Sequence, residues 1–137
     1  AASDVYKRQN QYSNYLDEKE KRVDLSFICD LLVSTSGSPN DWESGPLVDV
    51  GFYGLKEENS SFIDSQKHSV FFNNSNYLEI YDSYGYEDIL YFVLKNTSGF
   101  ILSTLGETPL DSSLGVSEFC FTQNRSSLLI LEVGLWK

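Results

Sequence analysis

The chain has 137 residues, which fits a single domain, and its 41% hydrophobic and 15% aromatic content is enough for a packed core. This composition argues against global disorder. A formal net charge of −10 argues against nucleic acid and anionic lipid headgroups as partners, because both require a basic face.

The first nine residues do not match the rest of the chain. Residues 4–9 read "DVYKRQ", the translation of GAT GTG TAT AAG AGA CAG, which is the end of a transposon adapter used to fragment DNA for sequencing. We therefore predict that residues 1–9 are an adapter-derived artefact and that residues 10–137 form the domain. An upstream signal or transmembrane segment would then be missing from this chain. An ordinary basic helix start remains the alternative.

Residues 10–34 have the pattern of a long helix. Apolar side chains recur at three- and four-residue steps, and charged residues 17–22 are expected on the opposite face. Gly37 and Pro39 are suited to ending the helix. The predicted apolar stripe consists of Tyr12, Tyr15, Leu16, Val23, Phe27, Ile28, Leu31 and Leu32.

Residues 35–137 are predicted to form an α+β head. A short helix is expected at 63–72, capped by Ser61 or Asp64, and another at 77–83, capped by Asn74 or Ser75 and ended by Gly85. Residues 100–114, with Ser112 and Ser113, are predicted to be loop with one short strand at most. Predicted strands cover residues 47–52, 88–95, 115–122 and 128–136, the last two forming a closing hairpin.

The helix runs directly into "LLVSTSGSPNDWE", residues 31–43. This stretch resembles the junction of archaeal pilin-like secreted proteins, which carry class III signal peptides and are related to type IV pilins and archaellum subunits. Gly37, Pro39, Trp42 and Glu43 are its most specific residues. The block from Lys67 and the closing strand to Trp136 are also similar, whereas residues 96–113 have no counterpart.

The resemblance implies a pilin-like fold, with a long N-terminal helix on a C-terminal antiparallel sheet. It also implies a cell-surface location, anchorage by an upstream hydrophobic helix, and assembly with other pilin-like subunits or surface proteins. Membrane contact would come only through that helix. At the junction, Trp42 is interpreted as an apolar lid on the helix end, and a ligand-binding Trp42 is the alternative.

No catalytic or metal-binding constellation is visible in the sequence, so we predict neither enzymatic activity nor a cofactor. The single histidine, His68, has no recognisable triad or zinc partners. Asp82, Glu87 and Asp88 form an acidic turn without the alternating ligands of a calcium loop. No glycine-rich phosphate-binding motif is present.

Two features of the sequence agree with an exterior location. Cys29 and Cys120 are the only cysteines, and they either pair as a disulfide or remain two buried thiols. Asn-x-Ser/Thr sequons, predicted to lie in loops or turns, occur at Asn59, Asn73, Asn96 and Asn124.

The sequence favours two functions. The first is a structural or assembly role, as the extracytoplasmic head of a pilin-like surface subunit. The alternative is a non-enzymatic surface binding or adhesion module on the same scaffold, in which exposed Tyr81, Tyr84 and Tyr86 provide stacking contacts.

Overall fold

A computed structural model describes residues 2–110 and 115–137 and confirms the predicted α+β fold. One long helix is followed by two short helices and a four-stranded antiparallel sheet with strand order β2-β1-β4-β3. The elements are α1 (Ala2–Ser34), α2 (Ser65–Phe71), α3 (Tyr77–Tyr84), β1 (Ile89–Asn96), β2 (Ile101–Leu105), β3 (Gly115–Gln123) and β4 (Leu128–Trp136).

Helix α1 packs against β3 and β4 through its C-terminal half. Leu25, Cys29 and Leu32 are fully buried there, and Ile28 is 7% exposed. The helix ends at Ser34, as predicted, and the Thr35 amide and hydroxyl both donate to the Leu31 carbonyl. It begins at Ala2 rather than at Asn10, so residues 2–9 are also helical.

The predicted apolar stripe of α1 was only partly correct. Of its members, Ile28 and Leu32 are buried, but five are exposed by 45% or more of their surface. At about 100° per residue, Val23 and Phe27 lie on the side of the helix opposite Leu25 and Leu32. The helix therefore has two apolar faces, and the head covers one of them. The exposed members are Tyr12, Tyr15, Leu16, Val23 and Phe27.

The sheet places alternate side chains on its two faces, as expected for period-two strands. The inner face supplies Leu90, Phe92 and Leu94 from β1 and four buried residues from β4 to the core beneath the helices. On the opposite face, Phe119 and Phe121 are 55% and 66% exposed. The structure is therefore a two-layer sandwich of helices on one sheet face.

The strand predicted at residues 47–52 was wrong. Leu47–Asp49 is a 3-10 turn that follows Pro46, in which the Asp49 and Val50 amides donate to the Pro46 and Leu47 carbonyls. These local bonds replace a strand ladder, and Val48 is 84% exposed. Only an isolated bridge between Phe52 and Ser38 remains.

The short helices lie close to their predicted positions. Asp64, one of the two predicted caps, accepts a hydrogen bond from the Lys67 amide at 2.9 Å and begins α2. The predicted Asn74 or Ser75 cap of α3 was wrong, because Asn74–Asn76 forms a 3-10 turn that Asn73 caps. Gly85 ends α3 with φ of +74°, as predicted.

The remaining predictions concern the C-terminal half. The region predicted to be mainly loop contains β2, and residues 111–114, with Ser112 and Ser113, lie outside the described residues. The closing hairpin of β3 and β4 is confirmed within one residue at each boundary. In the part of the chain that the structure describes, no helix combines the length and apolar character that crossing a membrane requires.

Candidate functional site

The junction residues Gly37 and Trp42 form a tightly packed cluster at the end of α1, which we call the junction cluster. Gly37 has φ of +89°, and a Cβ at this position would collide with the Trp42 indole. Trp42 is 1% exposed, and its Nε1 donates to the Gly54 carbonyl at 2.9 Å. The Tyr53 ring packs edge-on against it at 5.2 Å between centroids. Trp42 therefore lies inside the core, in the position of an apolar lid.

Glu43 belongs to the same junction cluster through a buried ion pair. Lys67 on α2 is 3% exposed, and its Nζ lies 2.6 and 2.9 Å from the two Glu43 carboxylate oxygens. The ammonium also donates to the Asn40 carbonyl and lies 5.6 Å from the centre of the Trp42 ring. Glu43 and Lys67 therefore connect α2 to the junction. Removing either residue would leave the charge of the other buried without a partner. The Ser38–Pro39 peptide of this segment is cis.

The two cysteines form a disulfide that joins α1 to β3. Cys29 and Cys120 have Cα atoms 6.1 Å apart, and no free cysteine remains. Of the two predicted states, a disulfide or two buried thiols, the structure contains the disulfide. The bond fixes the buried half of α1 to the sheet at a point that packing already brings together.

The four sequon asparagines lie at the surface, but in different settings. Asn59 and Asn73 are exposed, whereas Asn96 and Asn124 are half-buried. Asn96 is the last residue of β1 rather than a loop residue, and its side-chain oxygen accepts from the Ser98 and Phe100 amides. Asn124 accepts from the Ser126 and Ser127 amides in the hairpin turn. Glycosylation at any of them stays a prediction.

The polar residues considered for catalysis or metal binding do not converge. His68 Nε2 lies 2.8 Å from Ser103 Oγ, and burial lowers the pKa of the imidazole. The described contacts of His68 include no carboxylate that would complete a triad. Asp88 is paired with Lys21 at 2.9 Å. Over the described ranges 2–110 and 115–137, no three His, Cys, Asp or Glu side chains are grouped as a metal site would require.

A groove of about 600 Å³ lies between the C-terminal half of α1, residues 50–53 and the end of α3. Five aromatic side chains line it, and Asp24 supplies a carboxylate at its edge. These aromatic residues are Phe27, Phe52, Tyr53, Tyr84 and Tyr86. The structure thus brings together two of the three tyrosines predicted as a binding platform.

The predicted exposure of those tyrosines was wrong, because Tyr81, Tyr84 and Tyr86 are half-buried and pack against the core. Tyr81 does not line the groove, and its hydroxyl donates to the Glu87 and Asp88 carbonyls. Burial raises the pKa of Tyr84. Burial and the neighbouring Asp24 carboxylate raise the pKa of Tyr86 to about 12. Tyr84 and Tyr86 therefore both remain neutral hydroxyl groups near neutral pH.

Tyr53 is the feature of the groove that the sequence pattern did not predict. The residue is 3% exposed, and its hydroxyl is buried without a hydrogen-bond partner. The Ser83 hydroxyl donates to the Ile80 carbonyl, and its oxygen can still accept a hydrogen bond. Burial raises the pKa of Tyr53, and the nearby Ser83 hydroxyl offsets part of that rise. Tyr53 follows the wrongly predicted strand, and no sequence signal indicated its burial.

Lys67 was also missed, although a signal for its burial existed. Phe71, four residues later on the same helical face, is fully buried.

Comparison of the chain with protein-family models, curated proteins and solved structures finds no match. The family resemblance therefore remains a prediction based on the junction residues.

Proposed function

We propose that the chain is a structural or assembly protein, the extracytoplasmic head of a pilin-like cell-surface subunit. The observation that carries the proposal is the second apolar face of α1, which the head leaves exposed. Its members Tyr12, Leu16, Val23 and Phe27 are 64%, 45%, 62% and 63% exposed. Contiguous apolar surface rimmed by polar groups is typical of protein interaction sites.

The dimensions of this exposed stripe suit a helix-to-helix contact. From Tyr12 to Phe27 it extends roughly 22 Å along the helix axis. At about 100° per residue, the exposed side chains of Lys19 and Glu20 lie on its two edges. The stripe is thus long enough to pack against one or two neighbouring helices in an assembly.

The attachment of α1 to the head also supports a subunit role. The disulfide at Cys29 and the buried Trp42 hold the C-terminal half of the helix, while the described side chains from Gln11 to Glu20 are exposed. A head fixed to one end of a projecting helix can be carried as a rigid unit by whatever binds the other end.

The partners in this proposal are pilin-like subunits or other surface proteins, and no catalytic step is included. The net charge of −10 disfavours nucleic acid and anionic lipid, so membrane contact would come only through an upstream helix. Surface sequons and a disulfide support a location outside the cytoplasm, where disulfides persist.

Sedimentation velocity over a range of concentrations tests this proposal. We expect the chain to form oligomers at high concentration and Val23→Glu to abolish them, because a charge in the stripe opposes its burial. Val48→Glu is the matched control, since Val48 is also an exposed valine but lies off the helix. A chain that stays monomeric at millimolar concentration, or equal effects of both variants, would contradict assembly through the stripe.

A further inference from the structure

The exposed stripe of α1 has edges of opposite charge. At about 100° per residue, Lys19 lies about 50° to one side of the midline of the stripe and Glu20 about 50° to the other side. Both side chains are exposed. Asp24, also exposed, follows Glu20 about one turn later on the same side. The stripe therefore has a basic edge at Lys19 and an acidic edge at Glu20 and Asp24.

The two edge charges are not paired within their own helix. Three and four residues away, where helical side chains meet, Lys19 has no acidic neighbour and Glu20 has no basic neighbour. Lys21, in contrast, pairs with Asp17 on the helix and with Asp88 of the head. In the part of the chain that the structure describes, neither Lys19 nor Glu20 takes part in an ion pair. Both charges are therefore available to a partner chain.

The charged edges favour a parallel pair of these helices over an antiparallel pair. When two identical parallel helices are related by a two-fold axis that runs along the pair, each edge of one helix lies beside the opposite edge of the other. Lys19 of each chain then lies beside the acidic edge of its partner. In an antiparallel pair each edge lies beside the same edge of the partner, so like charges meet. Charged residues in such flanking positions determine the partner and the orientation in helix pairs.

The head leaves room for a second copy of the chain along the stripe. Leu25 and Leu32, which pack α1 against the head, are fully buried on the side of the helix opposite the stripe. Two chains that meet along their stripes therefore carry their heads on the outer sides of the pair. The disulfide at Cys29 fixes each head in that position.

We infer that two copies of this chain pair in parallel and in register along α1, with Lys19 of each copy bound to Glu20 of the other. The inference rests on the proposed function, because it names the partner of the exposed stripe. Two-fold symmetry places identical residues at the same height, so Leu16 and Val23 each meet their own copy. The contact ends before Asp30, because two Asp30 carboxylates at the same height repel each other.

Exchange of the edge charges tests the ion pairs. Sedimentation equilibrium gives the dimer dissociation constant of the full chain, of Lys19→Glu, of Glu20→Lys and of the double variant. Each single substitution turns both ion pairs into like-charge contacts and should weaken the dimer about fivefold, whereas the double variant should regain the affinity of the parent. An effect of net charge alone differs in sign, because Lys19→Glu would then weaken the dimer and Glu20→Lys would strengthen it. Unchanged melting temperatures at low concentration show that the variants fold.

Two cysteine variants test the orientation independently. Leu16→Cys and Val23→Cys should each form a covalent dimer under mild oxidation, seen on a non-reducing gel, because each position meets its own copy. An antiparallel pair allows at most one of the two, since residues 16 and 23 lie roughly 10 Å apart along the helix. Val48→Cys is the control, because Val48 is also an exposed valine but lies off the helix. We expect it to remain monomeric.

The remaining outcomes separate this inference from the proposed function. Suppose that the chain forms oligomers and Val23→Glu abolishes them, but the double charge variant stays weak or only one cysteine variant forms a dimer. The stripe is then an assembly surface, and the parallel pair is wrong. A chain that stays monomeric at millimolar concentration overturns both proposals. Oligomers that Val23→Glu leaves intact form through another surface and also overturn both.

Discussion

The two halves of α1 carry similar apolar side chains in different surroundings. Leu25, Cys29 and Leu32 are fully buried against the sheet, whereas Tyr12, Tyr15 and Leu16 are about half exposed or more. Both sets recur at helical spacing. The difference shows that hydrophobic periodicity locates apolar faces but does not say which of them the rest of the chain covers. The length of the helix beyond the head decides that.

Removing the disulfide should have the largest effect on the buried half. In Cys29→Ala with Cys120→Ala the covalent link across 91 positions is lost, and the chain-entropy model predicts a destabilisation of about 4 to 5 kcal/mol. Urea unfolding of the variant and of the parent measures it. The parent unfolded in reductant is the control and should lose a similar amount. A loss below about 1 kcal/mol would show that packing alone holds α1 to β3.

Truncating Trp42 should come next. Trp42→Ala removes a side chain that is 1% exposed and hydrogen-bonded, so we expect a loss of about 3 to 5 kcal/mol. Emission spectra in the Trp136→Phe background should show a blue-shifted Trp42 signal that disappears with the substitution. A change within about 0.5 kcal/mol, as at ordinary surface positions, would instead indicate an exposed binding platform.

Two leucines allow the halves of α1 to be compared with identical chemistry. Leu25→Ala should cost about 2 to 5 kcal/mol, since Leu25 has no exposed surface, whereas Leu16→Ala should stay within about 0.5 kcal/mol because Leu16 is 45% exposed. Urea unfolding at low protein concentration, where the chain is monomeric, measures both. Equal losses would mean that the N-terminal half of α1 is covered in the monomer.

The smallest effect concerns Tyr86, which lies beside Asp24 where the exposed stripe and the buried face adjoin. Its pKa is raised from 10.0 to about 12 in the folded chain. The Tyr86 hydroxyl therefore ionises at a lower pH in the unfolded chain than in the folded chain. The stability that this difference contributes is fully present below pH 10 and is lost as the pH rises through about 12. Melting temperatures at pH 9 to 12 should fall less steeply in Tyr86→Phe than in the parent. Identical slopes would contradict the shift.

The sequence was sufficient to predict the fold class and most element boundaries, because Gly85, Asp64 and the β3–β4 turn act through local chemistry. Residues 47–52 were mispredicted because their alternating apolar residues are typical of a strand, whereas the preceding Pro46 favours a turn. The site was harder to predict. The junction cluster around Trp42 includes Gly54 and Lys67, and the groove includes Tyr53. These residues are brought into contact only by tertiary packing.

The disulfide determines how much of the chain could be stretched by force. A load entering along α1 reaches Cys29 and passes through the covalent bond to Cys120, bypassing everything between them. At about 3.4 Å per residue, these 91 positions represent roughly 300 Å of contour length that stays locked while the bond is intact. Only α1 before Cys29 and the segment after Cys120, which contains β4, could extend. Reduction would release the hidden length in full.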